Sequence, residues 1–290
     1  IRKLQNDLSK KITELTNLMK KEMSQPQISQ ISQVSQNYNG RKRALLIGIN
    51  YKGTGNDLNG CINDISVIET FLKTKNFSEI TILSDNTDKK PTKENILECL
   101  SLFLSSAEDN DVLYLHYSGH GSYINDTNRD ENDGRDETIV SIDLNNISDD
   151  ELNNIIKTKL TKNAILFSIF DSCHSGTILD LQYSYVYTNT KLETIEDKKY
   201  LLNQKNQKNQ KNQNVILLSG CRDSQYSEET LTNIGVNGLM TWAFNETVSK
   251  VKEMTWKSLY VDIVELLKSI GATQVPQFSS SRLISLDEKI

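Results

Sequence analysis

The chain has 290 residues, of which 37% are hydrophobic, and a net charge of −5. This length can bury a substantial core as one large domain or two small ones. The negative charge argues against non-specific nucleic-acid binding, and no apolar run approaches the roughly 20 residues that cross a bilayer. No signal peptide is visible at the polar start, and the four scattered cysteines without a CxxC pair suit reduced thiols. We therefore predict a cytoplasmic protein without membrane or nucleic-acid partners.

The first 40 residues differ from the rest of the chain. Apolar residues recur at helical spacing within 1–23 and predict an amphipathic helix. Residues 24–39 are rich in Gln and Ser and have little to bury, so they are typical of a linker. The folded core is predicted to begin at Arg41.

Apolar strands then alternate with helices. Continuous apolar runs predict five buried strands, and periodic segments predict four helices between and after them. The strands are predicted at 42–50, 79–85, 111–118, 163–171 and 214–220, and the helices at 61–73, 91–107, 237–251 and 255–270. This alternation predicts an α/β fold with a mostly parallel sheet covered on both faces by helices.

Two segments interrupt the alternation. Residues 126–151 carry ten acidic residues and two arginines, a local charge of −8. Such a block is often only a solvated loop. Residues 183–213 end in the repeat NQKNQKNQKNQ, which lacks an apolar anchor and predicts a disordered loop. This loop would divide one catalytic domain into a larger region, 41–182, and a smaller one, 214–290.

Reactive side chains follow two of the predicted strands. The third strand ends in HYSGHGS (116–122) and the fourth in FDSCHSG (170–176). If these strands are neighbours, His120 and Cys173 meet at the carboxyl edge of the sheet, where functional residues of open α/β sheets gather. An imidazole beside a thiol is the arrangement of a cysteine nucleophile with its base.

The other histidines are poorer candidates for the base. His174 is adjacent to Cys173, but neighbouring residues of an extended chain point to opposite sides. His116 lies within the third strand and can be purely structural. A zinc site formed by the three histidines does not match the usual ligand spacings.

The motifs together resemble those of the metacaspases, members of the caspase-type protease clan. The resemblance runs in order over about residues 41–280 and leaves out 1–40 and 183–213. It rests on these segments: KRALLIGINY (42–51), LNGCINDI (58–65), HYSGHGS, DENDGRDETIV (130–140), DDEL (149–152), DSCHSGTILDL (171–181), SGCRDSQYS (219–227) and QVPQFSS (274–280).

This resemblance implies a caspase-like three-layer sandwich with a six-stranded sheet, and a monomer. It implies His120 as general base, Cys173 as nucleophile, and the backbone amides of Gly121 and Cys173 as oxyanion donors. The implied substrate pocket is lined by Cys61, Asp64, Ser118 and Asp171. Two carboxylates beside the nucleophile suit an Arg or Lys side chain and repel an Asp.

The resemblance also gives the acidic block a second interpretation. The spacing is not that of an EF-hand, but Ca²⁺ accepts six to eight oxygens from separate loops. The family's calcium site corresponds to Asp136, Asp149, Asp150 and Asp180. The predicted function is a calcium-dependent cysteine endopeptidase that cleaves after Arg or Lys and can cut itself within 183–213.

Two other interpretations remain at this stage. The same fold could serve as a weakly active or inactive calcium-binding interaction module, although both His120 and Cys173 are present. A nucleotide-binding domain is suggested only by Gly48, Gly53 and Gly55, which form neither a GxGxxG nor a Walker motif.

Overall fold

The computed structural model describes residues 38–126, 134–161, 163–188, 190–197, 213–221, 227–232, 235–250 and 253–290. The predicted N-terminal helix lies outside these residues, and so does most of the NQK repeat.

A central sheet of eight strands organises the fold, in the order β2-β1-β3-β7-β10-β13-β8-β9. Its first five strands run parallel to one another. They are β1 (Lys42–Gly48), β2 (Glu79–Ser84), β3 (Val112–Ser118), β7 (Ile165–Asp171) and β10 (Asn214–Ser219). All five predicted strands are confirmed, because continuous apolar runs of this length are stable only when both faces of the sheet are covered.

The prediction of six strands was wrong. Beyond β10 the sheet continues antiparallel through β13 (Gln277–Ser280), β8 (Tyr183–Thr188) and β9 (Lys191–Glu196). Residues 183–188 and 191–196 were predicted as part of a disordered loop. They form strands because Tyr185 is buried against Phe278, with ring centroids 4.9 Å apart, and its hydroxyl contacts Ser280 at 3.0 Å.

Helices cover both faces of the sheet, as predicted. On one face, α2 (Lys93–Ser105) and α3 (Asp149–Lys159) pack through residues such as Leu100, Leu104 and Leu152. On the other face lie α1 (Cys61–Thr74), α4 (Leu239–Lys250) and α5 (Trp256–Ser269), which bury Ile68, Phe244 and Ile263 among others. No helix in the described residues is long and apolar enough to cross a membrane.

Two small sheets lie beside the central one. Strands β4 (Gly121–Asn125), β5 (Arg135–Val140) and β6 (Asn146–Ser148) form an antiparallel sheet. This sheet and α3 occupy the described part of the acidic block, so this part is folded rather than a solvated loop. A hairpin of β11 (Glu229–Thr232) and β12 (Gly235–Gly238) leads directly into α4.

Candidate active site

The register of β3 and β7 places the two predicted catalytic residues at the same level. These strands are adjacent and parallel, and Ser118 pairs with Asp171 at their carboxyl ends. His120 and Cys173 each follow two residues later on their own strand. Both side chains are partly exposed, as residues that meet a substrate must be. The sequence-based expectation that their strands are neighbours is confirmed.

Two buried tyrosines and one loop carbonyl hold His120. The backbone N–H of His120 donates to the Tyr51 hydroxyl at 2.9 Å, and its carbonyl accepts from the Tyr117 hydroxyl at 2.7 Å. Its Nε2 lies 2.7 Å from the carbonyl oxygen of Asn56. Because a carbonyl can only accept, Nε2 must carry the proton, which leaves Nδ1 as the basic nitrogen.

Backbone groups of Ser227 and Gly121 lie close to Cys173. Its Sγ accepts a hydrogen bond from the backbone N–H of Ser227 at 3.2 Å. Burial raises the pKa of the Cys173 thiol, while the Ser227 N–H acts in the opposite direction. Gly121 lies against this residue so closely that a Cβ added there would stand 1.9 Å from the Cys173 carbonyl oxygen. The two predicted oxyanion donors therefore belong to adjoining stretches of backbone.

The remaining histidines lie elsewhere in the site. His116 is fully buried, and burial lowers its pKa to about 3. Its Nε2 lies 3.4 Å from the hydroxyl of Thr241. His174 has a positive φ of 51° and stacks edge-on against Tyr123. Among the described residues, no group of three possible metal ligands includes a histidine.

The predicted substrate pocket is a buried, acidic cluster. Asp64 accepts a hydrogen bond from the Ser118 hydroxyl at 2.6 Å, and Cys61 lies on the same first turn of α1. Burial raises the pKa of Asp64 to about 7, with a further contribution from the charge of Asp171. Burial also raises the pKa of Asp171. The structure brings all four predicted pocket residues together.

Several pocket residues come from the C-terminal region and were not predicted. The side chain of Asn237 donates to Asp64 at 3.0 Å, and the backbone N–H of Gly238 donates to the same carboxylate at 2.9 Å. The Ser227 hydroxyl donates to Asp171 at 2.6 Å. Ser227 falls within the motif SGCRDSQYS, which was the one available signal for it.

Three of the four predicted calcium ligands form a cluster. Oxygens of Asp149, Asp150 and Asp180 all lie within 4.8 Å of one another. Burial raises the pKa of Asp149 to about 8, and the nearby charge of Asp180 raises it further. Asp136 is buried close enough to act on the charge of Asp149, but it is not a member of this group.

The acidic cluster connects to the loop that carries the nucleophile. The backbone N–H of Glu137, on β5, donates to Asp149 at 2.9 Å. The carboxylate of Glu137 accepts from the Thr177 hydroxyl at 2.7 Å, and Thr177 and Asp180 follow Cys173 on one loop. An ion held by the cluster would therefore constrain this loop.

Comparison with known proteins identifies the family of this chain. A family model described as the metacaspase, peptidase C14 domain matches residues 42–182. A protein named metacaspase-1 from Meyerozyma guilliermondii is 34% identical, over 84% of this chain and 70% of its own length. The chain belongs to the metacaspase family. A metacaspase-1A from Neurospora crassa is 32% identical, over 87% of this chain and 65% of its own length.

The family and fold agree with the sequence-based interpretation. A solved structure of a protein from Geobacter sulfurreducens superimposes with a TM-score of 0.61, covering 86% of this chain and 97% of its own, at 24% identity. It supports the fold alone. Membership among the metacaspases identifies the chain as a cysteine-type peptidase whose substrates are proteins or peptides. The chain spans about two thirds of the length of these metacaspase relatives.

Proposed function

We propose that this metacaspase is a calcium-dependent endopeptidase that cuts after Arg or Lys, with Cys173 as nucleophile and His120 as general base. The register of β3 and β7 supports the proposal, because Ser118 pairs with Asp171 at the carboxyl ends of these adjacent strands, and His120 and Cys173 each follow two residues later. Reporter peptides that end in Arg or in Asp, assayed with Ca²⁺ and with a chelator, test the whole proposal. We expect cleavage of the Arg peptide only, and only when Ca²⁺ is present.

The chemistry follows from the protonation states in the site. Cys173 rests as a thiol, because burial raises its pKa. The Nδ1 of His120 takes the thiol proton as sulfur attacks the substrate carbonyl. The backbone amides of Gly121 and Cys173 stabilise the oxyanion of the tetrahedral intermediate. The imidazolium then donates its proton to the leaving amine, and water hydrolyses the thioester.

The acidic cluster fits a calcium ion. Oxygens that each lie 2.3–2.6 Å from Ca²⁺ are separated by at most about 5 Å, and the three carboxylates meet this condition. Asp149 and Asp150 belong to the first turn of α3, where carboxylates are favourable even without a metal. Asp180 comes from a separate loop and has a positive φ of 44°. Bound Ca²⁺ would offset the repulsion among these charges.

We expect Asp149→Asn to abolish calcium stimulation while making the calcium-free protein more stable. Asp149 ionises near pH 4 when unfolded and at about pH 8 in the fold. Its ionisation therefore disfavours the folded state as the pH rises between these values. At pH 7.5 and without Ca²⁺, the Tm of the variant should lie a few degrees above that of the wild type. A gain of about 1 kcal/mol in the free energy of unfolding raises Tm by roughly 2–4 °C.

Thermal unfolding with and without Ca²⁺ measures this effect, together with the peptidase rate. Ca²⁺ should raise the Tm of the wild type and leave that of Asp149→Asn unchanged. Asp88→Asn is the matched control, because it removes one exposed carboxylate from another part of the chain and should respond to Ca²⁺ like the wild type. Equal calcium responses in wild type and Asp149→Asn contradict the assignment.

We also expect self-cleavage within 198–212. Lys198, Lys199, Lys205, Lys208 and Lys211 all lie in this stretch, which is outside the described residues. Lys191, also a predicted site, instead begins β9 and pairs with Thr188 on β8, so its backbone is occupied. Arg41 is held by Asp111 at 2.8 Å and is similarly protected. Cleavage requires an extended backbone that is free to enter the active site.

Mass spectrometry after incubation with Ca²⁺ locates the cuts. The two fragments should stay associated, because two strand pairs cross the cut: β10 pairs with β7, and β13 pairs with β8. Cys173→Ala should remain intact alone and be cut when traces of wild type are added. Cuts at the same sites in Cys173→Ala alone would exclude self-processing.

A further inference from the structure

The two pocket carboxylates meet the start of α4. Asp171 Oδ2 accepts two hydrogen bonds from Thr241, one from its backbone N–H at 2.8 Å and one from its hydroxyl at 2.9 Å. The backbone N–H of Gly238, directly before the helix, donates to both oxygens of Asp64. The first N–H groups of a helix lack intrahelical partners and carry partial positive charge. Here they are directed at two buried carboxylates.

Gly238 permits this close approach. A Cβ added there would stand 2.3 Å from Asp171 Oδ2 and 2.9 Å from Asp64 Oδ2. Both carboxylates therefore flank the same glycine. Any side chain at this position would push the carboxylates away from the helix.

His116 fixes the direction of the Thr241 hydroxyl. A hydroxyl has a single proton, and Thr241 donates it to Asp171. The contact with His116 Nε2 at 3.4 Å must therefore run from Nε2–H to the Thr241 oxygen. His116 is neutral, because burial lowers its pKa to about 3. The two hydrogen bonds therefore run in one direction: His116 donates to Thr241, and Thr241 donates to Asp171.

We propose that Thr241 is a positioning residue that holds Asp171 charged and oriented, and so sets how strongly the pocket selects a basic side chain. This inference rests on the proposed Arg or Lys specificity. A carboxylate offers about four lone-pair sites, and Asp171 uses three of them on Thr241 and Ser227. One site remains for a substrate cation.

Among the described residues, no cationic side chain lies against Asp171. The titratable groups of this part of the chain that face it are acidic or neutral, and neither pocket carboxylate forms an ion pair there. These groups are Asp64 and Cys61 from α1, Glu229 from β11, Cys173 and Cys221 from the loops after β7 and β10, and His116 from β3. A negative charge on Asp171 therefore depends, before a substrate arrives, on the hydrogen bonds from Ser227 and from Thr241 at the start of α4.

The test compares Thr241→Val, which removes the hydroxyl at nearly constant shape, with Thr241→Ser, which keeps it. Thr241→Ala removes the same hydroxyl and substitutes for Thr241→Val if that variant does not fold. The measurement is kcat/KM for a peptide with Arg before the cut, divided by that for the same peptide with citrulline, across pH. Citrulline has the shape of Arg without its charge. Because the His120–Cys173 pair cuts both peptides, its contribution cancels, and the ratio measures the preference of the pocket for a positive charge.

We expect the ratio at pH 7 to fall about tenfold in Thr241→Val, as for the loss of one hydrogen bond to a charged group. The pH below which the ratio declines should rise, because the hydroxyl lowers the pKa of Asp171. Thr241→Ser should match the wild type, and iodoacetamide should alkylate Cys173 at one rate in all three proteins. An unchanged ratio in Thr241→Val, or equal losses for Arg and citrulline together with slower alkylation, would overturn the proposal.

Failure of the proposed specificity gives a different result. In that case the ratio is already near one in the wild type. The carbon-13 shift of the Asp171 carboxyl, assigned with Asp171→Asn and followed against pH, then decides the role of Thr241 without any substrate. A titration displaced to higher pH in Thr241→Val and unmoved in Thr241→Ser supports the role, and coincident titrations in the three proteins reject it.

Discussion

Peptidase activity of Cys173→Ala should fall by at least about 10³-fold, and that of His120→Ala by about 10²–10⁴-fold. The first change removes the attacking sulfur. The second removes the group that accepts the thiol proton, which Cys173 needs because burial raises its pKa. Neither side chain is deeply buried, so both variants should fold and melt close to the wild type.

Matched controls separate these roles from general damage to the site. His174→Asn changes the residue next to the nucleophile and keeps a side chain that tolerates its positive φ of 51°. It should retain activity within a few-fold. Cys99→Ser changes a partly buried free thiol on α2 and should be neutral for catalysis. Substantial activity in Cys173→Ala, or equal losses in His120→Ala and His174→Asn, contradicts the assigned pair.

Asp171→Asn and Asp64→Asn should each lower kcat/KM for Arg peptides by roughly 10–100-fold, mainly through KM. Each change removes a buried carboxylate that forms no ion pair with a described residue, so that a substrate guanidinium would be its natural partner. The citrulline peptide should lose much less, so the Arg-to-citrulline ratio falls toward one. Peptides with Asp before the cut should remain uncut by the wild type.

The pH dependence of this ratio gives an independent check. In the free protein the pKa of Asp64 is about 7, so protons compete with a basic side chain for the pocket below that pH. The ratio should therefore decline as the pH falls through about 7. Asp262→Asn, at an exposed position of α5, is the control and should leave the ratio unchanged. Preferential cleavage after Asp, or a ratio insensitive to both pocket variants, rules out the acidic pocket.

The strands that carry the site could be predicted because their local signals are strong. Continuous apolar runs such as 111–118 and 163–171 predict buried strands, and the reactive residues follow directly at their ends. Helix α3 was not predicted, since its composition is polar. Its start was nevertheless encoded in a capping box between Ser148 and Glu151. Strand β8 was missed because its burial depends on Phe278, almost a hundred residues later.

The same reason explains which site residues were missed. Asp64 and Asp171 lie within recognisable motifs, whereas Asn237, Gly238 and Thr241 reach the pocket only through the packing of α4 on the sheet. No local pattern in the sequence encodes that contact. The monomeric state, the cytoplasmic location and the absence of a nucleic-acid partner remain predictions from composition and resemblance.

Covalent trapping identifies both the nucleophile and the side chain that the substrate pocket selects. The protein is incubated in Ca²⁺ with a peptidyl halomethyl ketone that ends in Arg, or with its counterpart ending in Asp, and the modified cysteine is found by peptide mapping. We expect one adduct, on Cys173, formed with the Arg reagent and abolished in His120→Ala. An adduct on Cys61, Cys99 or Cys221 instead, or equal labelling by the Asp reagent, would contradict it.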